Sequence, residues 1–245
     1  MDILQYLKVY HFDKKIRLGC DNDGGYVIAE LGKDYDCYIS AGVANEESFS
    51  RDFINKYEMN KKDCFAYDGT IADYPYEYTT NINFEKRNIN VFSDKNNTNL
   101  NDLIDRYNKI FLKMDIEGSE YSWIKGLSEE KLKHFKQIVI EFHGINSNMW
   151  FPIYELKVEA LQKLSKTHYL IHAHGNNHSH LVCGVPDVME LTFINKDLFK
   201  QPLKYNKRNL PIPNLDYPNK PNTEDYDLTF YPFVRTTKRK LIFSN

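Results

Sequence analysis

Short apolar runs alternate with stretches of helical spacing along most of the chain. Tyr38-Ile39-Ser40-Ala41-Gly42-Val43 reads as a buried strand, and from Glu47 to about Tyr57 the residues Phe49, Phe53, Ile54 and Tyr57 share one helical face. Cys64-Phe65-Ala66-Tyr67 is a second strand, stopped by Asp68-Gly69. Leu100, Leu103, Ile104 and Tyr107 recur as on a short amphipathic helix, and Ile110 to Met114 is the next strand. A helix over roughly 121–135 leads to a strand at 137–142, and one over about 155–166 leads to a strand at 169–173. An apolar run at 188–194 closes the series. Such alternation predicts βαβ units, hence an α/β fold with a mainly parallel sheet covered on both faces. Six of the nine prolines (Pro202, Pro211, Pro213, Pro218, Pro221 and Pro232) fall after residue 200. The expected layout is one domain over 1–245: a lead-in at 1–33, an α/β core at 34–200 and an extended tail at 201–245.

Composition narrows this picture. A chain of 245 residues can bury one sizeable core and is short for two full domains. With 32 Lys+Arg against 34 Asp+Glu, the net charge of −2 argues against broad electrostatic binding of nucleic acid. Mean hydropathy is −0.59 although 14% of residues are aromatic, which describes a folded domain with a very polar surface. No run of about 20 apolar residues could span a membrane, and the N-terminal residues lack a secretion-signal layout. Cys20, Cys37, Cys64 and Cys183 are widely spaced, so they are expected to be reduced and packed, in a cytoplasmic protein.

Open α/β sheets bind ligands beyond the carboxyl ends of their strands, at the point where strand order reverses. Gly42 lies there after the first strand and allows close backbone approach. Asp68 follows the second, where a carboxylate can accept both hydroxyls of a ribose. Asp115, Glu117 and Glu120 follow the strand at 110–114, and Glu141 and His143 end the next. For Glu117 and Glu120, capping of the following helix is an equally good reading. Carboxylates gathered this closely need a cationic ligand, a metal ion or a shared proton. The chain has no GxGxxG after the first strand, no GxxxxGK[ST] and no GxSxG, which disfavours dinucleotide dehydrogenases, P-loop enzymes and α/β-hydrolases.

The strings Arg17-Leu-Gly-Cys-Asp-Asn-Asp-Gly-Gly-Tyr-Val27, Ile39-Ser-Ala-Gly-Val43, Leu112-Lys-Met-Asp-Ile-Glu-Gly-Ser-Glu-Tyr121 and Val139-Ile-Glu-Phe-His143 resemble the FkbM-type methyltransferases. These are class I O-methyltransferases that use S-adenosylmethionine. His174-Gly-Asn-Asn177 and the segment 185–192 resemble a sub-branch of the group, so the likeness spans about residues 17–195. It implies a Rossmann-like, seven-stranded sheet, mostly parallel with its last strand antiparallel. It also implies a cofactor held by the strand-one loop (Ser40, Ala41, Gly42, Val43), with Asp68 on the ribose and Asp115 near the methyl-donor end. Asp23, Gly24, Gly25 and Tyr26 would wall the cofactor. The single glycine of Ala41-Gly42-Val43-Ala44-Asn45 departs from the usual glycine-rich loop. Asp115-Ile116-Glu117-Gly118 stands where amide methyltransferases often carry an Asn/Asp-Pro-Pro-aromatic string, which favours a hydroxyl acceptor.

Such a transfer needs an aligned acceptor oxygen and removal of its proton. His143 is the first candidate base, with Glu141 beside it to orient it, while Asp115, Glu141 and His143 could instead hold one Mg²⁺ or Mn²⁺. His168, His172, His174, His178 and His180 crowd thirteen residues; an acceptor-contacting loop is favoured over a zinc site. Glu117, Trp150, His174, Asn176 and Asn177 are the expected acceptor contacts, with Trp150-Phe151-Pro152 lining the pocket. Tyr74, Tyr76, Tyr78, Tyr217 and Tyr231 are further candidates for stacking on a sugar, core packing being the default for any one of them. The expected acceptor is a sugar hydroxyl, nucleotide-linked or in a surface glycan. The alternatives are a non-sugar small molecule, or a non-catalytic nucleotide- or glycan-binding domain. The sequence leaves the oligomeric state open, a homodimer included.

Overall fold

A computed structural model describes residues 2–147 and 153–235. A hairpin of β1 (Lys15–Leu18) and β2 (Tyr26–Ala29) precedes β3 (Cys37–Ala41), α1 (Ser48–Tyr57), β4 (Cys64–Tyr67) and β5 (Asn83–Glu85). A small pair, β6 (Asn88–Ile89) and β7 (Asn97–Thr98), leads through α2 (Asn101–Ile104) to β8 (Ile110–Met114). Then come α3 (Glu120–Gly126), α4 (Glu129–Leu132), β9 (Phe135–His143), α5 (Tyr154–Thr167) and β10 (His168–Gly175). A minimal ladder of β11 (Leu181–Val182) and β12 (Val185–Pro186) precedes β13 (Val188–Asn195).

Seven strands form one sheet in the order β5-β4-β3-β8-β9-β13-β10. Neighbours run parallel except β13, which is antiparallel to both β9 and β10. The Rossmann-like sheet with its last strand antiparallel is thus the fold observed. Strand order reverses beside β3, so the crevice above β3, β4 and β8 is the place for a ligand. Successive side chains point to opposite faces. Tyr38, Phe111 and Val139 pack with α1 and the hairpin, whereas Ile39, Leu112 and Ile138 pack with α3 and α5. The Phe53 ring of α1 lies 4.8 Å from Tyr38 and 4.1 Å from Phe111, and each such buried aromatic stabilises the fold by roughly 1.5–3 kcal/mol.

Three features differ from the sequence pattern. The helix expected over 121–135 is interrupted, because Leu127 is extended and the Ser128 hydroxyl accepts the Lys131 N–H as the cap of a new turn. The lead-in carries the β1–β2 hairpin, which packs across β9, β10 and β13 and against α1. Cys183 is exposed, whereas Cys37 and Cys64 are buried. The tail follows the hairpin, with Leu215 O accepting from Arg17 and Pro218 O accepting from Asn22. Among the described residues no helix is long and apolar enough to cross a membrane. Trp150 and Phe151 lie outside the described residues.

Candidate active site

One row of residues crosses the carboxyl edge of the sheet. Register pairs His174 with Glu190 and Glu190 with Glu141. Ile140 pairs with Met114 and Met114 with Ala41, so Glu141, Asp115 and Gly42 continue the same row one step out. Asp68 extends it past Tyr67, the other partner of Ala41.

A cleft of about 540 Å³ lies along this row. Asp23, Gly24 and Tyr26 of the hairpin wall one side, and Gly42, Val43 and Asn45 form the floor. Asp68, Thr70, Asn88 and Asn90 stand at one end, with Asp115 and Glu117 at the other. Gly25, Ser40 and Ala41 stand back from it. A β-carbon on Gly25 would overlap Cys20 O, and Ser40 is buried with its hydroxyl donating to Glu47 at 2.8 Å. Gly42 has φ +79°, and a β-carbon there would overlap the carbonyl oxygen of Asp115. Its freedom therefore serves the contact between two strand ends, and leaves the floor bare.

Two charged side chains shape the floor. Lys113 is buried inside β8, where its ammonium donates to Gly42 O at 2.6 Å and lies 3.8 Å from Glu47. One Asp68 oxygen accepts the N–H groups of Val43 (3.0 Å) and Ala44 (2.9 Å). The other accepts the Thr70 N–H (2.7 Å) and hydroxyl (2.6 Å). Burial pushes the Asp68 carboxyl up, but these donors outweigh it and hold it below the usual range.

His143, 4% exposed, lies behind Asp115 and Glu117 at the other end. Its Nδ1 is 3.2 Å from Glu120 Oε1, an oxygen that also accepts the N–H groups of Ile116 and Gly118. Nε2 is 3.4 Å from Glu117, 3.5 Å from Glu141 and 3.9 Å from Asp115. Burial alone would lower the imidazole's pKa, yet Glu120, Asp115 and Glu117 raise it. The orienting partner is Glu120 rather than the expected Glu141, because Glu141 is held by the amide of Asn176. Burial first, then Asp115, Glu190 and Asp23, push the Glu141 carboxyl well up. Burial likewise raises Asp115 to about 6. Asp115 Oδ1 is a buried acceptor without a hydrogen-bond partner among the described residues. The donors read from sequence as a Mg²⁺ or Mn²⁺ set are regrouped: Asp115 and His143 join Glu117, whereas Glu141 joins Asp23 and Glu190.

The expected acceptor contacts divide. Glu117 lines the cleft. His174 is held between Glu190 (3.1 Å) and Asp225 (2.9 Å), and Asn177 binds the backbone of Lys220 and Glu224. Both thereby fasten the tail. Asn219 of the tail donates to Asp23 and Glu190. The remaining histidines do not converge: His168 bonds Thr167 and Phe135, His172 bonds Asp216, and His178 and His180 are exposed. Tyr74 is buried with its hydroxyl on Glu47, Tyr78 donates to Glu46, and Tyr76 and Tyr231 are exposed. Sequence reasoning passed over Lys113 and Glu190, although a charge inside an apolar strand marks each.

The carboxylates around His174 outweigh burial and raise its pKa to about 10, so in the native protein it is an imidazolium at neutral pH. A folded pKa above the unfolded value stabilises fully below about pH 6.5, and the gain is lost as pH rises towards 10. Chemical unfolding between pH 7 and 11 is expected to show this loss in the wild type and not in His174→Gln. Parallel curves would contradict the assignment.

A family model described as the methyltransferase FkbM domain matches residues 7–176. None of the curated proteins matches the chain. Among solved structures, the fibrillarin pre-rRNA processing protein of Methanococcus jannaschii is similar over 66% of this chain and 67% of its own, at 11% identity and a TM-score of 0.38. The family match covers more than half of the chain and includes Gly42, Asp68, Asp115 and His143, so the chain belongs to the FkbM methyltransferase family.

Proposed function

We propose that the cleft binds S-adenosylmethionine and that the protein transfers its methyl group to a hydroxyl oxygen of a sugar, nucleotide-linked or within a glycan. The observation that carries this reading is a cleft end lined by Asp115 and Glu117, with the buried imidazole of His143 directly behind these two carboxylates. Asp115 Oδ1, which has no hydrogen-bond partner among the described residues, suits the positively charged end of that cofactor. Asn45, Asp68, Asn88 and Asn90, which line the cleft, would hold the nucleoside end. When bound, the cofactor supplies an electrophilic methyl group.

The chain's own residues do the rest. His143 takes the acceptor's proton at Nε2, while Glu120 holds the Nδ1–H and so selects the tautomer. Glu117 reaches the same space from the αL turn of Glu117-Gly118 and would accept hydrogen bonds from the acceptor. Carboxylates and amides on this side, Glu141 and Asn176 among them, match a polyol better than an apolar ring.

Titration calorimetry with S-adenosylmethionine tests the first half. Asp68→Ala is expected to weaken binding about tenfold to a hundredfold, as loss of a charged hydrogen-bond partner does. Absence of binding by the wild type would overturn the proposal. Methyl transfer to nucleotide sugars tests the second half.

A further inference from the structure

We infer that the Tyr26 hydroxyl recognises the acceptor, donating to a second alcohol oxygen beside the one that is methylated. This deepens the proposed reading and rests on it. Tyr26 lines the cleft from the hairpin and is only 2% exposed. Its ring is held by Phe49, edge-on with centroids 5.5 Å apart, and Lys113 Nζ lies 5.9 Å from its centre. The fold thus fixes the ring, yet the hydroxyl makes no hydrogen bond among the described residues. Tyr67, which also lines the cleft, differs in donating to Glu85 at 3.4 Å. A buried phenol without a partner is destabilising, and one that lines a cleft is satisfied when a ligand arrives.

The surroundings decide what that ligand group is. Burial first, and then Asp115, Glu141, Glu190 and Asp23, push the phenol well above its ordinary range, so it keeps its proton and offers it. An ammonium would bind the carboxylates but leave that proton unmet. A phosphate or a ketone would accept it but meet the carboxylates with lone pairs alone. A hydroxyl accepts from Tyr26 and donates to a neighbouring carboxylate, of which Asp23 lines the same wall. His143 Nε2 lies 3.9 Å from Asp115 and 3.5 Å from Glu141, two of the acids that bear on Tyr26. The phenol and the imidazole approach the same acids, one from the hairpin and one from β9. An acceptor that presents one hydroxyl to His143 would present a second to Tyr26, so a polyol is matched at two points.

Two measurements on Tyr26→Phe test this, since Phe keeps the ring and removes only the hydroxyl. In thermal unfolding of the full chain without ligand, Tyr26→Phe should have a Tm equal to or above that of the wild type. Tyr74→Phe removes a hydroxyl that donates to buried Glu47 at 2.9 Å, and should lower Tm by at least about 2 °C. Methyl transfer to UDP-glucose, UDP-galactose and GDP-mannose is then followed with S-adenosylmethionine saturating. Tyr26→Phe should raise the acceptor KM about tenfold, with calorimetric affinity for S-adenosylmethionine unchanged. A Tm lowered as far as in Tyr74→Phe would overturn the proposal, because the hydroxyl would then serve the fold. So would an unchanged acceptor KM, or a loss confined to cofactor binding. A wild type that binds the cofactor and methylates none of the three sugars would overturn the sugar reading and this proposal together.

Discussion

Replacing His143 by Gln is expected to lower methyl-transfer kcat by about a hundredfold or more, with affinity for S-adenosylmethionine nearly unchanged. Gln keeps a polar group near Glu120 but cannot take a proton. The pH profile carries the sharper signature. Only the neutral imidazole is a base, so rate should rise with pH through the folded pKa of His143. Glu120, Asp115 and Glu117 hold that pKa above its ordinary value, so the acid limb should lie above about pH 6.5. Asp115→Asn removes one of these charges and should move the limb to lower pH. A profile that ignores both substitutions would assign the base elsewhere.

Gly42→Ala is expected to be the most damaging single change to the fold of the site. Its φ of +79° already disfavours Ala, and the new β-carbon would overlap Asp115 O, a backbone atom tied into the sheet. Asp115 N donates to Ala41 O at 2.8 Å and Gly42 N to Tyr67 O at 2.9 Å, so neither strand end can yield alone. Strain and overpacking together suggest a loss of about 3 kcal/mol or more, or roughly 10 °C in Tm for a chain of this size. Gly32→Ala is the control: φ is +82°, but its β-carbon meets open space, so only the backbone strain of about 1 kcal/mol remains. Equal effects of the two substitutions would refute the steric argument.

The fold was legible where buried strands are continuous apolar runs. Tyr38-Ile39, Phe111-Leu112 and Ile138-Val139-Ile140 each reveal a strand covered on both faces. Strand order was not readable from pattern, since periodicity says nothing about which strands are neighbours; the resemblance implied only seven strands with the last one antiparallel. In the site, the acids just beyond the strand ends stood out, and the structure gathers Asp68, Asp115 and Glu117 at one cleft, with His143 beside the last two. Their partners were less visible. Glu120 reads as a helix-capping acid until β9 brings His143 to it. Asn219 and Asp225 lie in a Pro-rich stretch without periodicity, and Asn219 meets Asp23 across 196 positions of chain, beyond any local window. Gly42 was noticed for the right property, close approach, but the group that approaches is the chain itself.

The order in which β9, β10 and β13 sit has a consequence for synthesis. Because β13 lies between β9 and β10, a nascent chain that has emerged only through β10 lacks the strand between them. Chains emerge N-terminus first, and local structure can form before the rest arrives. The floor built by Gly42, Asp68 and Lys113 can therefore assemble while Glu190, Asn219 and Asp225 are still inside the ribosome. On the proposed reading, Glu141 gains its β13 neighbour Glu190 only after every residue that would hold the methyl donor has emerged.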